Sequence, residues 1–332
     1  MTTSPSVPSA NADDPLIRQA AERLGRRTAA TTPISPDLRV SFEFFPPATP
    51  AGAATLEASA IALAPFDPTF VSVTYGAGGS SQDKTFDALD RLSAIPGLPV
   101  AGHLTCVSAS QGTIGDVVDT YRAKGVNHIV ALRGDAPTED DDGCTDGVHP
   151  DGYETAADLV GGIRSRADTG DIEISVGAYP EVHPKASSAA ADLDNLKRKI
   201  DAGADRAITQ FFFDADVYLR FLERARAAGI TAPIVPGIMP VTNFAGIARF
   251  SERCGTSVPD WMHQLFAGLD DVPEIRELVA ATVSAEQCKR LVEHGVRDFH
   301  FYTMNKPNLT AATCRILGIT PALQETKASR AS

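Results

Sequence analysis

The chain has 332 residues, of which 43% are hydrophobic and 22% are charged, and its net charge is -12. The acidic charge disfavours nucleic-acid binding, and no run approaches the roughly 18 apolar residues that a membrane helix needs. Five scattered cysteines without a CxxC pair favour reduced thiols over a disulfide framework or a zinc site. We therefore expect a soluble cytoplasmic protein without a nucleic-acid, membrane or metal partner.

Both ends of the chain differ in composition from its centre. Residues 1–36 are rich in Ser, Thr, Pro and Ala, and we expect a partly disordered N-terminal extension with a short helix over Leu16–Ala29. Residues 321–332 have the composition of a frayed C-terminal tail. Between them, residues 37–320 are predicted to form the catalytic domain.

Within that domain, short β-rich apolar runs alternate with longer stretches of helical spacing. Eight such runs follow one another: Val40–Phe45, Phe70–Tyr75, Val100–Cys106, His128–Leu132, Glu173–Ala178, Arg206–Phe213, Pro233–Ile238 and Asp298–Met304. The intervening helical patterns include Tyr153–Ala167, Ala189–Ala202, Val217–Ala227 and Val272–Gly295. In the last of these, six apolar residues are spaced for one helix face: Ile275, Leu278, Val279, Val283, Leu291 and Val292.

This alternation predicts βαβ units and a parallel sheet. Eight units over about 280 residues fit a single-domain (β/α)8 TIM barrel. An open doubly wound sheet is the competing architecture, but it usually carries a GxGxxG turn after its first strand. Here Pro46 and Pro47 follow the first strand instead, which favours the barrel.

Active sites of such barrels lie at the C-terminal ends of the strands, and most of the predicted strands carry polar residues there. Glu43 stands in the apolar run VSFEFF of the first strand. A buried carboxyl favours its protonated form, as a general acid requires. The alternative is a carboxylate held by an arginine or by backbone N–H groups, and the spacing alone does not separate the two.

Asp135 follows Arg133 and Gly134 at the end of the fourth strand. It could cap a helix or pair with Arg133, or it could face a cationic intermediate. The acidic loop that follows it, residues 138–149, is interpreted as a solvent-exposed loop without a binding role.

The histidines show no HExxH or facial-triad spacing, so the sequence predicts no metal site. His103 and His183 fall at the predicted catalytic rim, where we expect ligand contacts. His128 and His300 fall near strand beginnings, and for these we predict structural roles.

A row of polar residues follows the fifth strand on a predicted helix: Asp192, Asn195, Arg198 and Lys199. Their spacing places them along one face, where they could hold a ribityl chain and a pyrophosphate. A solvated charged face is the alternative explanation. The position of the row directly after the rim segment AYPEVHP favours a binding role.

Several long blocks, in unbroken order from about residue 38 to 320, resemble the bacterial 5,10-methylenetetrahydrofolate reductase family. They include VSFEFFPP, FVSVTYGA, HIVALRGD, ISVGAYPEVHP and NLKRKIDAGADRAITQFFFD. The resemblance implies a TIM barrel that binds FAD and reduces 5,10-methylenetetrahydrofolate to 5-methyltetrahydrofolate with NADH or NADPH. It places the protein in one-carbon metabolism, supplying methyl groups for methionine synthesis, and we expect a homo-oligomer.

The same resemblance assigns roles to individual residues. It makes Glu43 the catalytic acid and Asp135 the second catalytic residue. The implied flavin contacts are Thr74, His103, Leu132, Arg133, Gly134, Asp135, Tyr153, Tyr179, His183, Asp192, Asn195, Arg198 and Lys199. The implied substrate contacts are Asp135, Gln210, Phe244 and Lys306, where Phe244 stacks on folate or nicotinamide and Lys306 replaces a common arginine.

Two other functions are compatible with the sequence. One is a different FAD-dependent TIM-barrel dehydrogenase, such as one that oxidises proline, and the other is a non-catalytic folate- or flavin-binding protein. The presence of Glu43, Asp135 and Gln210 favours an enzyme over a binding protein. The choice between NADH and NADPH stays open, because no Rossmann discriminator is present.

Overall fold

The computed structural model describes residues 37–75, 79–135, 147–166 and 168–322. The N-terminal extension with its predicted helix, most of the acidic loop and most of the C-terminal tail lie outside the described residues. None of the described helices is long and apolar enough to cross a membrane.

The centre of the molecule is one sheet of parallel strands. In chain order they are β1 Arg39–Phe44, β2 Val71–Val73, β3 Val100–Thr105, β4 His128–Leu132, β5 Glu173–Ala178, β6 Arg206–Thr209, β7 Ile234–Val235, β8 Gly237–Ile238 and β9 Asp298–Tyr302. Their order in the sheet is β7-β6-β5-β4-β3-β2-β1-β9-β8. All eight predicted strand regions are therefore present, and each pairs in parallel.

A proline divides one barrel strand into β7 and β8. Pro236 has no N–H to give to a neighbouring strand, but its carbonyl accepts from His300 N at 3.0 Å. The next residue, Gly237, donates its N–H to Thr209 Oγ1 at 2.9 Å. Since β7 pairs with β6 and β8 pairs with β9, this interrupted strand closes the sheet, and the predicted (β/α)8 barrel is confirmed.

Helices surround the sheet. The described α-helices are α1 Pro50–Leu63, α2 Gly79–Ser93, α3 Gln111–Ala123, α4 Ala156–Ser165, α5 Ala189–Asp201, α6 Ala215–Ala227, α7 Phe244–Cys254, α8 Asp260–Leu265, α9 Pro273–Glu293 and α10 Pro307–Ile316. Polar caps decide several boundaries. Thr155 and Asp158 form a reciprocal capping box, so α4 begins at Ala156 and not at the predicted Tyr153.

The apolar face of each strand packs outward against the helices. Phe42, Phe44 and Phe301 are fully buried in this main core. The residues between them point into the barrel, because side chains alternate along a strand. Ser41, Glu43 and His300 are therefore inside the barrel, where they are buried.

One expectation for α9 is wrong. Ile275 and Leu278 were predicted to share a buried face with Leu291 and Val292, but they are 52% and 72% exposed. Between Pro273 and Val279 the helix has no buried residue, and its buried residues begin at Ala280. Arg276 contacts Asp270 and Val279 packs against the core, but no described residue covers the side of the helix that carries Ile275 and Leu278.

Candidate active site

The barrel interior contains a buried carboxyl flanked by two imidazoles. Glu43 on β1 is 9% exposed. Its Oε2 lies 3.4 Å from His103 Nε2 on β3 and 3.6 Å from His300 Nε2 on β9. The sequence predicted an apolar setting or an arginine partner for Glu43. The structure instead places two histidines beside it, because Glu43, His103 and His300 are inward-facing residues of three strands and their side chains meet inside the barrel.

Both imidazoles are buried. Desolvation lowers the pKa of His103; the nearby Glu43 carboxyl opposes this shift and His300 adds to it. His103 is therefore neutral near pH 7. His300 is held from its other side, because its Nδ1 lies 2.7 Å from Ser41 Oγ.

Tyr302 completes this cluster. Its hydroxyl donates to Thr209 O at 2.7 Å, and its ring meets the His300 ring edge to face at 5.4 Å. Burial raises the pKa of Tyr302 well above its usual value, and the Glu43 carboxyl adds to this shift. The phenol stays protonated at any working pH.

Sequence reasoning assigned no site role to Ser41, His300 or Tyr302. A signal was present in the strand periodicity. Ser41 and Glu43 are two residues apart on β1, as His300 and Tyr302 are on β9, and the register pairs Ser41 with His300 and Glu43 with Tyr302. The pairing of the first with the last strand, which closure of the barrel requires, would have placed all four on one interior surface.

The end of β4 brings Asp135 to the mouth of the barrel. Gly134 has φ +86°, and a Cβ there would lie 2.7 Å from Val107 Cγ1 and 2.9 Å from Thr105 Cβ, so this turn requires glycine. Leu132 and Arg133 precede it and are partly exposed, and Arg133 Nε donates to Glu154 O. Asp135 itself is exposed, in contrast to Glu43.

The segment after β5 provides a second group of polar side chains. The rings of Tyr179 and His183 meet edge to face at 4.4 Å. Burial raises the pKa of Tyr179 to about 12, with Asp192 and Asp135 adding to the shift. Burial lowers the pKa of His183, which the same two carboxylates oppose. Asp135 is thus near these rings, and the β4 and β5 ends form one surface.

Helix α5 turns part of its polar row toward this surface. Asp192 Oδ2 accepts from His183 N at 3.0 Å, and Lys199 Nζ donates to Gly177 O at 2.5 Å. Lys199 is buried, and this lowers its pKa to about 8. Asn195 is partly buried and accepts from the exposed Arg198. Asp192 and Lys199 are therefore not part of a purely solvated helix face.

The remaining predicted residues are spread around the mouth. Thr74 follows β2, and its N–H donates to Phe44 O at 3.1 Å. Gln210 follows β6 and uses its Oε1 to accept from Phe211 N at 3.0 Å. Tyr153 lies against α4, where its ring covers Gly162.

Two predicted residues lie further from the buried carboxyl. Phe244 begins α7 and stacks on Phe266 with ring centroids 5.1 Å apart. Lys306 precedes α10 and, with Asn305 and Arg276, lines a cavity of about 420 Å³. The structure shows no contact between either residue and Glu43.

The residues at this mouth fit a flavin dinucleotide. Thr105 Oγ1 is buried next to the Gly134 turn and has no hydrogen-bond partner among the described residues. Lys199 and Arg198 provide positive charge for a pyrophosphate, and Asp192 and Asn195 provide polar groups for a ribityl chain. The donor set therefore suits such a cofactor.

Comparisons with known proteins agree with this geometry. The model of the family described as "Methylenetetrahydrofolate reductase" matches residues 29–318. The 5,10-methylenetetrahydrofolate reductase of Pectobacterium carotovorum is 46% identical over 312 residues, which cover 94% of this chain and 97% of the relative. That of Escherichia coli is also 46% identical, over 86% of this chain and 93% of the relative.

More distant relatives were also found. "Methylenetetrahydrofolate reductase (NADH) 1" of Arabidopsis thaliana is 37% identical over 87% of this chain and 49% of the plant protein. A solved structure of a Clostridium thermocellum protein that binds two copies of 5-methyl-5,6,7,8-tetrahydrofolic acid has a TM-score of 0.60 at 12% identity. It covers 86% of this chain and 96% of its own, and it shows the fold alone. On the family match and the bacterial relatives, the chain belongs to the methylenetetrahydrofolate reductase family.

Proposed function

We propose that this protein reduces 5,10-methylenetetrahydrofolate to 5-methyltetrahydrofolate with NADH or NADPH, through FAD bound at the mouth of the barrel. The family membership supports the reaction, and the buried Glu43 carboxyl at the centre of the barrel is the observation that carries the mechanism. Bound FAD would supply hydride transfer between nicotinamide and folate. A cytoplasmic location and a homo-oligomeric state remain predictions.

Glu43 is suited to act as the general acid. The imidazolidine ring of the substrate must open before reduction, and its N10 leaves poorly unless it is protonated. Glu43 is 9% exposed and lies inside the barrel with His103 Nε2 3.4 Å from its Oε2, so it is placed to act as a proton donor there. It gives a proton to N10, and water is excluded from the donor by the surrounding strands.

Asp135 is suited to the opposite task. Ring opening leaves a cationic N5 iminium, and an anion nearby stabilises that charge. Asp135 is exposed at the end of β4, whereas Glu43 is buried inside the barrel. Two carboxyl groups in different surroundings can thus perform acid and electrostatic roles at one pH.

The other mouth residues would hold the ligands. The flavin contacts would come from two groups of residues. On α5 these are Asp192, Asn195, Arg198 and Lys199, and at the strand ends and the segments that follow them these are Thr74, His103, Leu132, Arg133, Gly134, Tyr153, Tyr179 and His183. Gln210 would orient the pterin, Phe244 would stack on folate or nicotinamide, and Lys306 would attract the carboxylates of the folate.

An anaerobic absorption experiment tests this function. NADH added to the purified, FAD-loaded protein should bleach the flavin band, and methylenetetrahydrofolate should then restore it. A proline-oxidising enzyme would instead be bleached by proline, and a binding protein would show neither change. Bleaching by NADH that folate cannot reverse would refute the proposed activity.

A further inference from the structure

We propose that Asp270 is a positioning residue, which holds the backbone of Phe244 and thereby fixes where the Phe244 ring can stack on a ligand. The inference rests on the proposed function, in which Phe244 stacks on folate or nicotinamide. Asp270 itself would contact neither ligand, because it acts through the first turn of α7.

Helix α7 already has a local cap at its start. Asn243 Oδ1 accepts from Gly246 N at 2.6 Å, and Asn243 O accepts from Ile247 N at 3.0 Å. These bonds satisfy the third and fourth N–H groups of the helix. The first two N–H groups have no partner within a helix and need one from elsewhere.

Asp270 supplies both missing partners from a separate segment of the chain. Phe244 N donates to Asp270 Oδ1 at 3.1 Å, and Ala245 N donates to Asp270 Oδ2 at 3.2 Å. A carboxylate at a helix N-terminus is favourable because it faces the positive end of the helix dipole. Since Asn243 caps the helix already, the effect specific to Asp270 is to fix the first two residues, of which Phe244 is one.

The same segment also holds the Phe244 ring. The Phe266 ring stacks on it with centroids 5.1 Å apart and planes 7° apart. Gly268, with φ +74°, makes the turn that separates Phe266 from Asp270. Residues 266–270 therefore contact Phe244 at both its backbone and its ring, while the half-buried side chain keeps some surface for a ligand.

Asp270 is in turn held by Arg276 on the first turn of α9. Arg276 donates through one guanidinium nitrogen to Asp270 O at 3.2 Å and to Asp270 Oδ1 at 3.4 Å. The Arg276 side chain is 13% exposed and that of Asp270 is 34% exposed. Because the arginine contacts both the backbone and the carboxylate, Asp270 cannot turn away from α7 without losing a charged partner.

The main measurement is flavin reoxidation by methylenetetrahydrofolate in single turnover, over a range of folate concentrations. In Asp270→Ala we expect the half-saturating concentration to rise about 5-fold, the size of a lost aromatic stack. The limiting rate should stay within about 2-fold of the wild type, because stacking contributes to binding and not to the chemical step. Asp270→Asn keeps one acceptor oxygen and should lie between the two. Asp271→Ala, at the exposed neighbouring residue, is the matched control and should follow the wild type.

A double-mutant cycle separates this role from simple packing. Phe244→Leu removes the ring through which Asp270 would act. Adding Asp270→Ala to Phe244→Leu should therefore raise the half-saturating concentration by no more than about 1.5-fold further. A purely structural role of Asp270 predicts that the two losses multiply.

A second readout does not depend on activity. Hydrogen exchange, followed by mass spectrometry of the peptide that contains Phe244 and Ala245, reports on the two N–H groups that Asp270 accepts. Their exchange should be about 10-fold or more faster in Asp270→Ala than in the wild type, and unchanged in Asp271→Ala.

Three results would overturn the proposal: unchanged exchange at Phe244 and Ala245 in Asp270→Ala, a loss of limiting rate at an unchanged half-saturating concentration, or losses that multiply in the double mutant. A wild type whose reduced flavin does not react with folate would contradict the proposed function instead. The same comparisons with NADH as the ligand, together with the exchange measurement, would then decide the role of Asp270.

Discussion

At the scale of single residues, two carboxyl groups of the candidate site differ in their exposure to solvent. Glu43 lies inside the barrel between His103 and His300, and Asp135 is exposed at its rim. The inward alternation of β1 sets the first position, and the glycine turn after β4 sets the second. In the proposed function the buried carboxyl is the proton donor and the exposed one is the anion.

Asp135→Asn tests the anionic role. Removing the charge should slow flavin reoxidation by folate about 10-fold or more, because the cationic intermediate loses its electrostatic partner. Flavin reduction by NADH should change much less, since that step has no such cation. The two rates are measured separately by stopped-flow absorbance. Equal slowing of both half-reactions would argue against stabilisation of the iminium.

The sequence could predict Glu43 as a site residue but not its partners. The sequence VSFEFF shows both the acidic residue and the strand that carries it. His300 is distant in sequence and comes near only because β9 pairs with β1 when the barrel closes. Local periodicity predicts which side chains share a face of one strand, but the register between strands depends on the whole fold.

At the scale of elements, α5 shows how one helix can present a buried polar face and a solvent face. Lys199 is buried and donates to Gly177 O, whereas Lys197 pairs with Asp201 in solvent. Spacing alone did not distinguish a solvated row from a binding row. The contacts of Asp192 and Lys199 with the protein show that these two side chains face inward, and their binding role is a proposal.

Lys199→Met should weaken FAD binding about 10-fold or more, because the pyrophosphate loses a buried cation. Lys197→Met, on the same helix, is the control and should bind FAD as the wild type does. Burial lowers the pKa of Lys199 to about 8, so the wild-type affinity should fall as pH rises through that value and the ammonium loses its charge. Fluorescence titration of apoprotein measures both effects. Equal losses in the two variants would contradict this assignment.

Helix α9 illustrates a limit of hydrophobic periodicity. Its spacing predicted one continuous buried face, but Leu278 is 72% exposed and Leu291 is fully buried. Apolar spacing predicts a helix and its apolar face, but it does not show where along the helix a neighbour is present to cover that face.

Two substitutions test this difference. Leu291→Ala should lower the free energy of unfolding by about 2–5 kcal/mol, as cavities in cores do. Leu278→Ser should change it by no more than about 0.5 kcal/mol, because little area leaves water at that position. Denaturant unfolding of both variants measures the values. A loss of several kcal/mol for Leu278→Ser would show that the monomer description of this face is wrong.

At the scale of the whole molecule, the barrel interior couples stability to pH. Burial lowers the pKa of His128 to about 3, and Arg206 adds to this shift. An unfolded histidine binds a proton near pH 6.5. Between these values the unfolded chain holds more protons than the folded one, so the contribution of His128 to stability is complete above pH 6.5 and is lost as pH falls.

His128→Asn should therefore flatten the acid side of the stability curve. Between pH 6 and pH 4 the wild type should lose about 1.4 kcal/mol per pH unit more than the variant, which has no proton to take up. The exposed His294→Asn is the control and should follow the wild type. Urea unfolding at several pH values gives the slopes. Parallel slopes for the wild type and His128→Asn would show that His128 is charged in the folded state.

The central claim is that the barrel holds Glu43 as the acid of folate reduction, and Glu43→Gln tests it most directly. The glutamine is nearly isosteric, so FAD binding and flavin reduction by NADH should stay close to the wild type. Reoxidation of the reduced flavin by methylenetetrahydrofolate should slow by about 10²–10⁴-fold, because N10 no longer receives a proton from the enzyme. Reoxidation at the wild-type rate in this variant would contradict the account.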